Sequence, residues 1–210
     1  LIILRGRNGC WQLGIPVEMI KKIKDFNTDN EEINQVVLGS NDEWVVIRDN
    51  NGWWHTGLPA EIVNVFEKLN SSKEKIKQVE FGDKNEWIVL TGRNNWFQSG
   101  LPAEMIRKLN EFKLNNGEIK QVKLGDNGEW IILIGWNGWW QSGIPQEMNK
   151  VIEKLNATNK EIKQVELGSN GEWIVLTGKN GWAQSGSRSL VSENSFNNID
   201  DSYSGGSNSY

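Results

Sequence analysis

Residues 128–148 read Gly-Glu-Trp-Ile-Ile-Leu-Ile-Gly-Trp-Asn-Gly-Trp-Trp-Gln-Ser-Gly-Ile-Pro-Gln-Glu-Met, and this stretch decides the fold. It reads as a strand, a tight turn, a return strand and the start of a helix. It recurs with a period of 43 residues. Trp44, Trp87, Trp130 and Trp173 occupy one register; Cys10, Trp53, Trp96, Trp139 and Trp182 occupy a second. Pro16, Pro59, Pro102 and Pro145 occupy a third and are all 4 prolines of the chain. A fixed period of this size is the signature of a repeat architecture. Units so short bury too little surface to fold alone, so neighbours must complete one another's cores.

Outward from that stretch, each unit reads the same way. In the first copy, Leu1-Ile-Ile-Leu-Arg5 is apolar on both faces. Gly6-Arg7-Asn8-Gly9 follows, and Asn-Gly between two apolar runs is a strong hairpin signal. Gly14 breaks the return strand, and Pro16 sits where a first-turn helix proline is tolerated, because its missing N–H would have no partner there. Met19, Ile20, Ile23 and Phe26 then fall at helical spacing, as do Met148, Val151, Ile152 and Leu155 in the last full copy. Each predicts an amphipathic helix of about three turns. A third strand follows at 33–38, 76–81, 119–124 and 162–167; the period-2 rule puts Lys77 on the face of Val79 and Phe81. Gly-led turn segments such as Gly82-Asp-Lys-Asn85 lead back into the next Trp strand. That strand is apolar on both faces, Trp87 and Val89 against Ile88 and Leu90, and must be covered on both sides.

These readings predict an α+β repeat protein of tandem 43-residue strand-strand-helix-strand units. A five-fold α/β or β-propeller-like ring and an open repeat stack both suit the pattern. Residues 1–186 form the array, with incomplete first and last units. Residues 187–210, rich in Ser, Asn, Asp and Gly, read as a disordered tail or linker. Leu1 falls in the Trp44 register, so a fragment beginning within a repeat is expected.

The unit order and length resemble the five-fold α/β propeller of the pentein family. No catalytic Cys or guanidino-binding carboxylates stand in matching positions, so no activity is carried over from it. Gly171-Glu-Trp-Ile-Val-Leu-Thr-Gly-Lys-Asn-Gly-Trp182 and its copy at 128–140 resemble a Trp-rich tandem repeat of bacterial proteins. Its pattern is near G-G-W-V-I-L-Y-G-x-N-G-Y-W with an I-P helix start. The match spans residues 1–186. It implies a β-propeller-like or α/β repeat architecture and no known chemistry.

Formal net charge is −4, and three acids against one arginine in residues 187–210 contribute −2 of it. The repeats are therefore near neutral with mixed signs, against nucleic acid and against a polybasic membrane contact. No apolar run approaches the 18 or so residues of a membrane span. Cys10 is the one cysteine, so neither an intrachain disulfide nor a thiolate metal cluster can form. Asp126-Asn127-Gly128 lacks the fuller ligand spacing of a calcium loop. No cofactor or metal is expected.

The return strands carry the candidate site. Adjacent residues on a strand point to opposite faces, so Trp53, Trp96, Trp139 and Trp182 are expected in the core. Trp11, Trp54, Phe97, Trp140 and Ala183 are expected to be partly exposed. A flat ring beside amides and hydroxyls suits a sugar face. The candidate ligand-binding set is Trp11, Gln12, Trp54, His55, Phe97, Gln98, Ser99, Trp140, Gln141 and Ser142. The expected ligand is a glycan bound at several similar shallow sites; the alternative is a protein-interaction scaffold. An enzyme is not expected. His55 is the only histidine and replaces the Gln of other copies. Glu18, Glu61, Glu104 and Glu147 suit the helix dipole, and Glu43, Glu86, Glu129 and Glu172 are expected to bond neighbouring backbone. Trp136, in a turn where other copies carry Arg93 or Lys179, is expected at the surface.

Overall fold

The computed structural model describes residues 2–5, 9–12, 15–28, 32–48, 51–179 and 181–185; side chains of 2–5, 9–12, 27 and 28 are not among those described. The expectations for the side chains of Trp11 and Gln12 lie outside the described side chains, and those for the tail 187–210 lie outside the described residues. The elements are β1 (Ile2–Arg5), β2 (Gly9–Gln12), α1 (Val17–Thr28), β3 (Ile33–Leu38), β4 (Trp44–Arg48), β5 (Gly52–Thr56) and α2 (Ala60–Ser72). There follow β6 (Ile76–Phe81), β7 (Trp87–Thr91), β8 (Asn95–Ser99), α3 (Ala103–Leu114), β9 (Ile119–Leu124), β10 (Trp130–Ile134), β11 (Gly138–Ser142) and α4 (Gln146–Ala157). The last are β12 (Ile162–Leu167), β13 (Trp173–Thr177) and β14 (Gly181–Gln184). The chain forms two compact units, Leu1–Glu118 and Ile119–Tyr210.

The tandem repeat is realised as four separate three-stranded sheets, β3-β4-β5, β6-β7-β8, β9-β10-β11 and β12-β13-β14, plus the β1-β2 hairpin. In each the Trp strand is central and both its pairings are antiparallel. Among the described residues no sheet closes on itself, so the strands form a series of open sheets and not a closed barrel.

The doubly apolar centre strand is buried on both faces, as its sequence requires. In the first unit Trp44 and Val46 pack with Met19, Ile23 and Phe26 of α1. Val45 and Ile47, on the other face, join Ile62, Phe66 and Leu69 of α2 and then Val79, Trp87 and Val89 of the next sheet. The second unit repeats the layer: Ile131 and Leu133, then Met148, Ile152 and Leu155 of α4, then Val165, Trp173 and Val175. Within each of the two units a helix is therefore the filling between successive sheets.

Three local expectations are corrected. The prolines lie one position before the helix: Pro59, Pro102 and Pro145 are N-caps with ψ of 143°, 137° and 135°. Their carbonyls accept early helical N–H groups, as from Asn149 to Pro145 at 3.1 Å. The Trp hairpins turn through three residues, pairing Thr91 with Asn95 and Ile134 with Gly138. The left-handed residues are Gly92 (φ 53°) and Gly135 (φ 54°), and the Gly of Asn-Gly is already strand. Finally, the pairing shifts between Ile76 and Gln78, so Lys77 is the extra residue of a bulge. The bulge turns Ile76 and Val79 into the same core and leaves Lys77 off the face it was expected to share.

The third strands join neighbouring sheets through side chains. The Gln35 amide donates to Val79 O and accepts from Val79 N–H, both at 2.9 Å. Gln121 repeats this clip on Val165, again at 2.9 Å both ways. Lys77 reaches Glu118 at 3.3 Å and Lys120 reaches Glu161 at 2.9 Å. Lys123 pairs with Glu166 at 2.8 Å.

Candidate functional site

The pairing of the return strands divides the expected site between two faces. Trp53 and His55 stand opposite Ile47 and Val45, on the α2 side; Trp54 and Thr56 stand opposite Val46 and Trp44. Likewise Gln141 is paired with Ile131, while Trp140 and Ser142 are paired with Ile132 and Trp130. The structure thus brings Trp54 together with Thr56, Phe97 with Ser99, and Trp140 with Ser142. It turns His55, Gln98 and Gln141 the other way.

Two of those three residues serve the strand-to-helix connection. The Gln98 side-chain oxygen accepts the Leu101 N–H at 3.3 Å, and the Gln141 amide reaches Asn149 Oδ1 of α4 at 3.5 Å. His55 lies against Trp53, ring centroids 5.3 Å apart, and its Nδ1 is buried without a hydrogen-bond partner. Burial pushes the imidazole below its ordinary pKa, which favours the neutral ring.

The aromatic registers sort as follows. Trp53 packs on Phe66 of α2, 5.5 Å between centroids, and Trp139 packs against the core filled by α4. Trp96 is half-buried. Trp182 departs from the expectation for its register: it is 51% exposed. Among the described residues no helix follows β14 to cover it. In the alternate register Trp54 is 46% and Trp140 44% exposed, whereas Phe97 is half-buried against the core around Val89. Trp136 is exposed, and its indole N–H donates to Asn159 O at 3.3 Å.

Lysines accompany these rings. Lys22 Nζ lies 4.0 Å from the Trp54 ring centroid and 3.4 Å from Asp25. Lys68 lies 5.3 Å from the Phe97 ring. Sequence reasoning missed these partners, although a doubled period marks them. Lys22 and Lys108 alternate with Val65 and Val151; Asp25 and Glu111 alternate with Lys68 and Lys154; after Trp11, Trp54 and Trp140 alternate with Phe97 and Ala183.

The repeated glutamates are turn residues. Glu43 accepts the Asn41 N–H at 2.7 Å and Glu129 accepts the Asn127 N–H at 2.7 Å. Burial alone would raise the Glu129 pKa; the bonds from Asn127 and from backbone N–H groups outweigh it and hold the carboxyl below its ordinary value. A Cβ at Gly39 would collide with the Glu43 side chain, and one at Gly125 would lie 2.9 Å from Glu129 Oε2.

Among the described residues no group of three or more His, Cys, Asp or Glu could hold a metal ion. No described helix is long and apolar enough to cross a membrane. Comparison with protein-family models, curated proteins and solved structures returns no match.

Proposed function

We propose that this chain is a non-enzymatic binding module whose ligand is a carbohydrate, gripped by the half-exposed rings of Trp54 and Trp140. The observation that carries the reading is the exposure of these two side chains, 46% and 44%, on the edge strands β5 and β11. Large aromatic rings in part exposed beside hydroxyls suit a pyranose, whose C–H face stacks on the ring while its hydroxyls find donors and acceptors. Thr56 and Ser142 supply those hydroxyls, and the Lys22 ammonium at Trp54 adds a donor. Gln98 and Gln141 support the strand-to-helix connection in this reading, His55 packs on Trp53, and Ser99 beside Phe97 offers a lesser copy of the site. Repetition along the array gives weak sites that gain by avidity.

A second reading, a protein-interaction scaffold, is favoured by the apolar face of the last sheet, where Trp182 is half open. The test is intrinsic fluorescence of wild type, Trp54→Ala and Trp140→Ala titrated with a glycan panel. A saturable change with one sugar class, reduced in each variant, supports the carbohydrate reading. A silent panel from folded protein removes it and leaves the scaffold.

A further inference from the structure

We propose that the outer face of the β12-β13-β14 sheet is a docking site for a partner chain presenting a repeat of this same type, namely an amphipathic Leu/Ile-Pro helix followed by a Glu-Ile strand. Three independent features of the face point to that occupant.

The first is apolar. Leu176 pairs with Trp182 across β13 and β14, in the register of Ile47 with Trp53 and Leu133 with Trp139. Those earlier pairs lie under α2 and α4. Trp182 instead leaves 51% of its surface open. The cover that this surface fits is the one its copies have.

The second is a polar clip that holds no neighbouring strand among the described residues. Gln35 and Gln121 each bond both backbone groups of a valine on the neighbouring third strand. Gln164, the same residue one repeat on, is exposed, and its amide donates to Glu166 of its own strand at 2.8 Å. It is equipped to hold one more strand by its main chain, much as an edge strand recruits a peptide.

The third is charge. Lys77 and Lys120 pair with the glutamate preceding the next third strand, Glu118 and Glu161. Lys163, their counterpart, is exposed and has no acidic partner among the described residues. The Lys123–Glu166 pair shows that the position three residues on also matches opposite signs. The occupant therefore carries an acid to meet Lys163 and a lysine to meet Glu166. Residues 100–124, with Glu118 and Lys123, have that pattern; residues 143–167 carry Glu166 where the lysine belongs.

The experiment adds dye-labelled peptides 100–124 and 143–167 to the full chain and reads fluorescence anisotropy. Peptide 100–124 is expected to bind saturably and more tightly than 143–167. Leu176→Asp in the chain abolishes binding. Lys163→Glu weakens it about fivefold, the scale of one partly exposed ion pair, and Glu118→Lys in the peptide restores it. Binding that Leu176→Asp leaves unchanged overturns the assignment. A companion chain with residues 100–142 appended after Ser185 guards against a peptide that fails to order. If the peptide is silent and Trp182 stays as quenchable by acrylamide in the companion as in the original, the face accepts no such repeat. If only the appended unit shields Trp182, the face is for a repeat in the same chain and the partner assignment falls.

Discussion

Replacing Gln121 with alanine removes two hydrogen bonds at one stroke, because its amide both donates to and accepts from Val165 at 2.9 Å. Val165 is fully buried, so its N–H and C=O lose partners where water is scarce. Each lost bond costs about 1 kcal/mol, and stranding buried groups adds about 1 kcal/mol or more, for a total near 3 kcal/mol. Over a chain of this size that corresponds to a fall in Tm of about 6–12 °C. The control is Gln164→Ala, the same substitution one repeat on, where the amide is exposed and reaches Glu166 alone. Its cost is expected within about 0.5 kcal/mol. Urea unfolding of both variants, with hydrogen exchange of the Val165 amide, reads the difference. Equal costs at the two positions, or an unchanged Val165 protection factor, refute the clip as a source of stability.

Glu129→Gln removes a carboxylate whose folded pKa is depressed; such a group stabilises above its unfolded pKa of about 4.3 and loses that contribution as pH falls through the folded value. Urea midpoints from pH 7 down to pH 3 should therefore show wild type losing its advantage over the variant. His55 also has a lowered folded pKa, so wild type should weaken as pH drops below about 6.5, where the unfolded imidazole takes up a proton first. His55→Gln, restoring the residue of the other copies, should abolish that slope between pH 7.5 and 5.5. Lys22→Ala should cost about 0.5–1 kcal/mol in thermal unfolding through the lost cation–π contact with Trp54, and the loss should shift Trp emission; unchanged emission would count against the contact.

Much of the fold was legible because the repeat sampled each position several times. The doubly apolar Trp strand predicted burial on both faces, and Val46 and Ile47, adjacent in sequence, do enter different cores. The bulge at Lys77 was not legible, since a period-2 pattern carries no mark of an inserted residue until its pairing partner is known. The candidate site was half legible. Exposure of Trp54 and Trp140 followed from strand alternation. The same alternation separates Trp54 from His55 and Trp140 from Gln141, and grouping residues by adjacency overlooked it. Lys22 was invisible because it lies a helix and two strands away from Trp54, although the doubled period pairs the two positions.

The Lys123–Glu166 pair has a consequence for how such a gene can change length. After an uncharged Val37 its register runs Glu80, Lys123, Glu166, alternating in sign from copy to copy, with the last two in contact at 2.8 Å. Duplicating or deleting one 43-residue unit around Lys123 would set like charges side by side, a clash of the kind that destabilises facing strands. Duplicating two units at once keeps every neighbour opposite. Unequal recombination should then be tolerated most readily in steps of two repeats, and the heritable quantum of this array is the pair.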